Sequence, residues 1–257
     1  MSEPRHIHSR DNPLVLRVRK LAADGHAYRK AGEAWLEGDH LCSALRARGR
    51  PAAQALIAES AWAGDARLRE LAGWAQQVSV LADPVFKSLS GLGSPAAIGF
   101  LVDVPVAPAL DAVAASVVLD RLQDAGNVGS ILRSASAFGV RQVLALKGTA
   151  ALWSPKVLRA GMGAHFALHL IEGLDETALA GLRVPLVGTS SHGGSLLRDA
   201  ALPRPCAWVF GHEGQGVSAA LQARCTLTVR IPQPGGEESL NVAAAAAICL
   251  YESAVRQ

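Results

Sequence analysis

The sequence predicts an α/β protein: a C-terminal parallel sheet with helices on both faces, preceded by a small α+β domain. Three observations carry this. From about residue 113 onward, apolar runs of strand length alternate with helix-patterned stretches, which implies a parallel sheet covered on both sides. The stretch "DVPVAPALDA", residues 103–112, sets Pro105 and Pro108 between two well-patterned regions, as an interdomain linker does. A chain of 257 residues, 50% hydrophobic, has ample material for the cores of two domains. The division is therefore 1–104 for the first domain, 105–112 for the linker and 113–257 for the second.

In the first domain, "NPLVLRVRKLA" reads as a helix opened by Pro13, with Leu14, Val18 and Leu21 on one face and Arg17, Arg19 and Lys20 off it. "AWLEGDHLCSALRARG" and "PAAQALIAES" mix short strands with helices. In the second domain the expected strands are "SVVLD", "QVLAL", "FALHLI", "VPLVGTS", "CAWVFG" and "LTVRI". The helix "NVGSILRSASAFG" is expected to take Asn127 as its N-cap, to bury Val128, Ile131, Leu132, Ala135 and Phe138, and to stop at Gly139, with Arg133 off the stripe. "SPKVLRAG" has Ser154 as a cap, Pro155 in the first turn and Gly161 as a stop, leaving Arg159 near its end. The last helix starts near Asn241 and is alanine-rich, so its backbone can approach a neighbour closely.

Composition excludes several classes. "MSEPRHIHSR" has no apolar core of an export signal, and "VAAAAAICLY" is far short of a membrane span, so a soluble, cytoplasmic protein with no membrane partner is expected. Cys42, Cys206, Cys225 and Cys249 form no CxxC pair, and the eight histidines are scattered along the chain, so no disulfide framework and no metal site are expected. The net charge of +3 does not by itself point to nucleic acid. Its distribution is uneven: residues 5–30 carry seven Lys or Arg against Asp11 and Asp24, a pattern that suits phosphate contact and equally a solvated helix face.

Three polar clusters interrupt the apolar α/β region, each where a strand gives way to a loop or helix, the edge at which open α/β sheets bind ligands. They are "LDRLQDAGNVGSILR", "VFGHEGQGVS" and "IPQPGGEESLNVAAAAAICLYES". The glycines of the last two permit close backbone approach to a ligand.

In this order and at these separations the three clusters resemble the motifs of the SpoU (TrmH) family of RNA ribose methyltransferases. The resemblance includes "SPKVLRAGMGAHF" and extends to "SRDNPLVLRVRKLA" and "LEGDHL", which look like that family's ribosomal-protein-like substrate-binding domain. It implies a C-terminal trefoil knot of the SPOUT type holding S-adenosylmethionine, a homodimer, and methyl transfer to a ribose 2′-hydroxyl of structured RNA, ribosomal RNA ahead of transfer RNA. A non-catalytic RNA-binding or ribosome-assembly protein on the same fold is the alternative. A small-molecule nucleotide enzyme ranks last, because no GxGxxG or GxxxxGK[ST] loop is present.

Carried residue by residue, the resemblance implies cofactor contacts at Gly211, Gly216, Ile231 and Leu240, largely through main-chain groups. It puts Asn127, Arg133, Glu213, Ser239 and Asn241 around the reacting hydroxyl, with Glu213 holding its loop or positioning Arg133. Arg133 matches an arginine often assigned to activate the hydroxyl, yet a guanidinium with a pKa above about 12 is a poor base. A phosphate clamp that also stabilises the developing alkoxide suits it better, leaving the proton to water, phosphate or a coupled carboxylate. His212 stands where the family would place asparagine, and its role is left open. RNA contacts are expected from Arg10, Arg17, Lys20, Arg29 and Lys30, and from Arg159 near the site.

Overall fold

The computed structural model of the protein describes residues 3–90, 96–106, 108–235 and 239–256. The chain forms two compact units, one running to Pro105 and including Trp153–Phe166, the other comprising Val106–Leu152 and the chain from Ala167 onward. The division after Pro105 falls at the proline-containing stretch. That a later segment, Trp153–Phe166, belongs to the first unit is not something a division by chain position anticipates.

The first unit contains β1 (Arg5–Ile7), α1 (Pro13–Ala23), α2 (Ala27–Ala31), β2 (Glu33–Glu37), α3 (Asp39–Ala47), β3 (Gln54–Ala58), α4 (Glu59–Gly64), α5 (Ala66–Ala72), β4 (Gln77–Leu81), α6 (Asp83–Lys87) and β5 (Ile98–Asp103). Its sheet has the order β1-β4-β3-β5-β2, with β5 antiparallel to both its neighbours. Asn12 caps α1 by accepting from the Leu14 amide, and Pro13 occupies the first turn. The buried stripe of α1 is Val15, Val18 and Leu21 rather than one beginning at Leu14, which is only half-buried.

The remaining elements are β6 (Ser116–Asp120), α7 (Ala125–Ala137), β7 (Gln142–Leu146), α8 (Pro155–Gly161), β8 (His169–Leu174), β9 (Leu186–Thr189), β10 (Ser195–Leu196), β11 (Ala207–Gly211), α9 (Ala219–Arg224), β12 (Leu227–Arg230) and α10 (Val242–Val255). All but α8 belong to the second unit. α8 packs on β2 and α1; Ser154 caps it, and it ends one residue past the expected stop, with Met162 in the left-handed region.

The second unit's sheet is wholly parallel, in the order β10-β12-β9-β11-β6-β7-β8. Five of the six expected strands form at the expected places. The sixth, β8, starts three residues later than "FALHLI", since Ala164–Ala167 turns as a 3-10 helix first. β6, β7 and β11 are buried along their whole length, which explains their unbroken apolar runs. Val118, Leu144, Ile171, Leu186 and Val209 meet in the core on one face.

One buried polar side chain fastens the entry to this sheet. Gln142 is fully buried; its Nε2 donates to the Asp111 carbonyl at 3.0 Å and to Ser116 Oγ at 2.8 Å, while its Oε1 accepts from the Asp111 amide at 2.8 Å. Gln142→Leu leaves these groups without their partner, so urea denaturation is expected to show a loss of about 1–2 kcal/mol. A loss below about 0.3 kcal/mol would show that the network contributes nothing net.

Candidate functional site

The site grows from adjacent strand ends. β6 and β11 pair in parallel with Asp120 opposite Gly211, so the loops that follow both strands leave the sheet side by side. To one side of β6 lie β7 and β8, to the other β11 and β9, which makes this the point where the chain changes direction across the sheet. Asp120, wholly buried, fastens both loops: it pairs with Arg121 Nε at 2.8 Å and accepts from the Ser218 amide at 2.7 Å. Arg121 in turn reaches Gln215 Oε1 at 3.0 Å.

The first loop leads into α7, and the cap of that helix is Asp124, not Asn127. The Asp124 carboxylate accepts from the Asn127 amide at 2.7 Å, which places Asn127 one turn inside the helix and frees its side chain. Phe138 is correspondingly the C-cap residue and only half-buried, with Gly139 (φ +80°) ending the helix as expected.

The freed amide joins three segments. Asn127 Nδ2 donates to Glu213 Oε1 at 3.3 Å, and Asn241 Nδ2 donates to Asn127 Oδ1 at 2.9 Å. Asn241 is also the N-cap of α10, its Oδ1 accepting from the Ala243 and Ala244 amides at 2.9 and 3.3 Å. Glu213 accepts two further bonds, from the Gln123 and Asp124 amides at 3.3 and 3.2 Å. The cap fixes which end of Asn241 faces Asn127, which fixes which end of Asn127 faces Glu213, and the chain closes on an acceptor oxygen of Glu213. Partial burial pushes the Glu213 carboxyl up, but hydrogen bonds from loop amides and from Asn127 outweigh it and hold the group below its ordinary value.

The turn after β11 is tight. A Cβ on Gly211 would stand 2.1 Å from the carbonyl carbon of Gly216 and the nitrogen of Val217, so no side chain is possible there. Gly216 has φ +67° and donates to the His212 carbonyl at 2.8 Å. His212 Nδ1 accepts from the Gly214 amide at 3.0 Å and the Gln215 amide at 3.3 Å.

The other expected residues fall in three groups. Ile231, half-buried, follows β12 directly, and Ser239 and Leu240, both exposed, lead into α10. Between them Gly236, Glu237 and Glu238 lie outside the described residues. Arg133 stands exposed on α7, and neither Glu213 nor any other described residue forms an ion pair or hydrogen bond with it; Glu213 is used up by the loop amides instead. All six expected RNA contacts lie in the first unit. Lys20 and Lys30 are exposed, Arg10 donates to the Pro84 carbonyl, Arg17 pairs with Glu33 at 3.4 Å and Arg29 lies over the Tyr28 ring. Arg159, expected in the second domain, sits on α8 of the first unit, 3.7 Å from Glu37.

Three residues were not anticipated from the sequence: Asp120, Asp124 and Gln233. Asp124 and Asp120 bracket the first loop as cap and strap, and the spacing D-x-x-N ahead of a helix was the available signal for the cap. Gln233 follows β12, and its Oε1 is buried without a partner, which nothing in the sequence marks.

A family model described as the SpoU rRNA methylase family matches residues 114–251. The chain belongs to the SpoU rRNA methylase family. It is 32% identical over 212 residues to a 23S rRNA (uridine(2479)-2′-O)-methyltransferase of Streptomyces viridochromogenes, covering 74% of this chain and 73% of that relative. It is 30% identical to the 23S rRNA (guanosine(2553)-2′-O)-methyltransferase RlmP of Bacillus subtilis, covering 84% and 86%. Among solved structures it superposes on the SpoU methyltransferase AviRb from Streptomyces viridochromogenes in complex with the cofactor AdoMet, with TM-score 0.85, 26% identity and coverage of 95% and 98%. The α/β architecture with its parallel sheet is thus that of SpoU methyltransferases.

Because donors surround Glu213, Glu213→Gln is expected to lower the melting temperature of this SpoU chain at pH 7 by about 2–4 °C. The native carboxyl lies below its ordinary value, so its contribution is present above the ordinary carboxylate range and is lost as the pH falls through the native value. The difference between the two proteins should therefore shrink below about pH 4. A difference that stays constant down to about pH 3 would contradict the ionised-carboxylate reading.

Proposed function

We propose that the chain transfers a methyl group from S-adenosylmethionine to a ribose 2′-hydroxyl of ribosomal RNA. The observation that carries this is the Glu213–Asn127–Asn241 chain, which ties three separate loops together at one edge of the parallel sheet. The named activities of the two relatives, both 2′-O-methyltransferases of 23S rRNA, support the reaction and the substrate class. The first unit is read as the substrate-binding domain, with Lys20 and Lys30 free for phosphate. The setting is the cytoplasm, where ribosomal RNA is available.

The residues present suit the cofactor. Gly211 lets the loop fold back closely on itself, Gly216 has open space beside its Cα, and Gln233 Oε1 is a buried acceptor in want of a donor such as the cofactor's amino groups. Gly211, Gly216, Ile231 and Leu240 would hold it, largely by main-chain contact. Bound S-adenosylmethionine supplies a methyl on a sulfonium, so the protein has chiefly to aim the hydroxyl in line with it.

Asn127 and Asn241 have their side chains committed to each other, to Glu213 and to the α10 cap, and so serve as positioning residues. Ser239 and Arg133, uncommitted, are the ones left to meet the ribose and its phosphate. Arg133 holds the phosphate and stabilises the developing alkoxide. The segment from β12 into α10 is read as threaded into a trefoil knot. In support, β9 lies between β11 and β12, and the start of α10 reaches back to the first loop.

A homodimer is part of the same reading. On α10, Ala244, Ile248, Tyr251 and Val255 recur at helical spacing and are all exposed, an apolar stripe on a helix whose other side packs against α7. Phe138 extends it, edge-on to Tyr251 at 5.9 Å.

Incubation with labelled S-adenosylmethionine and unmodified total RNA is expected to put label in ribosomal RNA. Arg133→Ala should lower the rate at least about hundredfold, and Arg133→Lys should recover only part of it, since lysine lacks the planar fork. Label in transfer RNA alone would overturn the substrate, and full activity of Arg133→Lys would overturn the fork. Ile248→Glu combined with Tyr251→Asp should convert a dimer to a monomer in analytical ultracentrifugation. A wild type that sediments as a monomer would remove the dimer from the account.

A further inference from the structure

The imidazole of His212 is built into the turn it begins. Its carbonyl accepts from Gly216 at 2.8 Å and closes the turn from outside, while its Nδ1 accepts from the Gly214 and Gln215 amides and braces the turn from inside. Both of those amides are donors, so Nδ1 must present its lone pair, and in the neutral ring the proton is on Nε2. Asparagine and aspartate commonly brace turns this way, through a side-chain oxygen that accepts from amides two or three residues on. An imidazole does the same with one difference: its acceptor can take up a proton near neutral pH, and a protonated Nδ1 is a donor facing two donors.

Resting on the reading of this turn as a cofactor loop, we propose that His212 is a positioning residue. Its neutral, Nε2-protonated imidazole holds residues 211–216 in the shape that closes on S-adenosylmethionine, and protonation of the ring opens the turn and weakens cofactor binding.

The charged groups around the turn are committed elsewhere. Glu213 is turned to the Gln123 and Asp124 amides and Asn127, and its lowered value keeps it ionised where an imidazole titrates. Arg121 pairs with Asp120 while donating to Gln215, and Asp120 holds the Ser218 amide. Glu176 accepts from Ser218 Oγ, and Asp124 caps α7. Among the described residues, the side-chain nitrogen acceptor that braces the turn, and that a proton would turn into a donor facing donors, is Nδ1 of His212.

The test compares the wild type with His212→Asn and His212→Ala, using calorimetric titration of S-adenosylmethionine and nitrogen-15 NMR of the labelled histidines. The ring of His212 should show its proton on Nε2 at about pH 8. Wild-type affinity should fall about tenfold or more between about pH 8 and pH 5.5. His212→Asn, which keeps an acceptor that does not titrate, should bind within about threefold of the wild type at pH 8 and change little on acidification. His212→Ala should bind about tenfold more weakly at both pH values.

A proton on Nδ1 at pH 8, or a parallel acid decline in the wild type and His212→Asn, would overturn the proposal. Should the wild type show the Nε2 tautomer yet bind no cofactor at pH 8, the cofactor reading of the turn fails and the proposal falls with it. That outcome differs from a wrong tautomer in a protein that binds.

Discussion

A carboxylate with donors on three sides holds this site together. Glu213 lies in one loop; the amides of Gln123 and Asp124 and the side chain of Asn127 come from another; and through Asn127 the contact passes to Asn241 at the head of α10. None of these bonds is strong alone, since they lie near the protein surface and net hydrogen bonds contribute about 1 kcal/mol each. Their value is directional. Each amide can face only one way once the α10 cap has taken the Asn241 oxygen, so three loops distant in sequence share one arrangement.

The sheet makes that arrangement possible. Parallel pairing of β6 with β11 brings Asp120 opposite Gly211, and both following loops emerge at the same height. Asp120 is buried, and it offsets its desolvation by pairing with Arg121 and accepting from Ser218, one group from each loop. The exclusion of any side chain at Gly211 then lets the second loop fold back on itself, and His212 closes the turn with its ring and its carbonyl.

Much of this was legible in the sequence. Fully buried strands such as "SVVLD" and "QVLAL" announce themselves as unbroken apolar runs, and the three motif clusters name the residues that meet at the sheet edge. Other features were hidden for identifiable reasons. Asn127 and Asp124 are both good caps three residues apart, and only the structure shows that Asp124 takes the helix and releases Asn127. Assignment of α8 to the first unit depends on packing against β2 and α1, which no local pattern encodes. The turn of His212 was unreadable because histidine seldom braces a turn, whereas asparagine there would have signalled it.

The most direct test of the central claim, that the linked amides build one cofactor cleft out of three loops, is a double-mutant cycle on S-adenosylmethionine affinity. Asn127→Ala removes the middle of the chain, and Asn241→Ser keeps a capping oxygen for α10 while removing the donor to Asn127. The account predicts a coupling energy of about 1 kcal/mol, the double variant losing clearly less than the sum of the two singles. Losses that add to within about 0.3 kcal/mol would show the two residues acting independently and would contradict it.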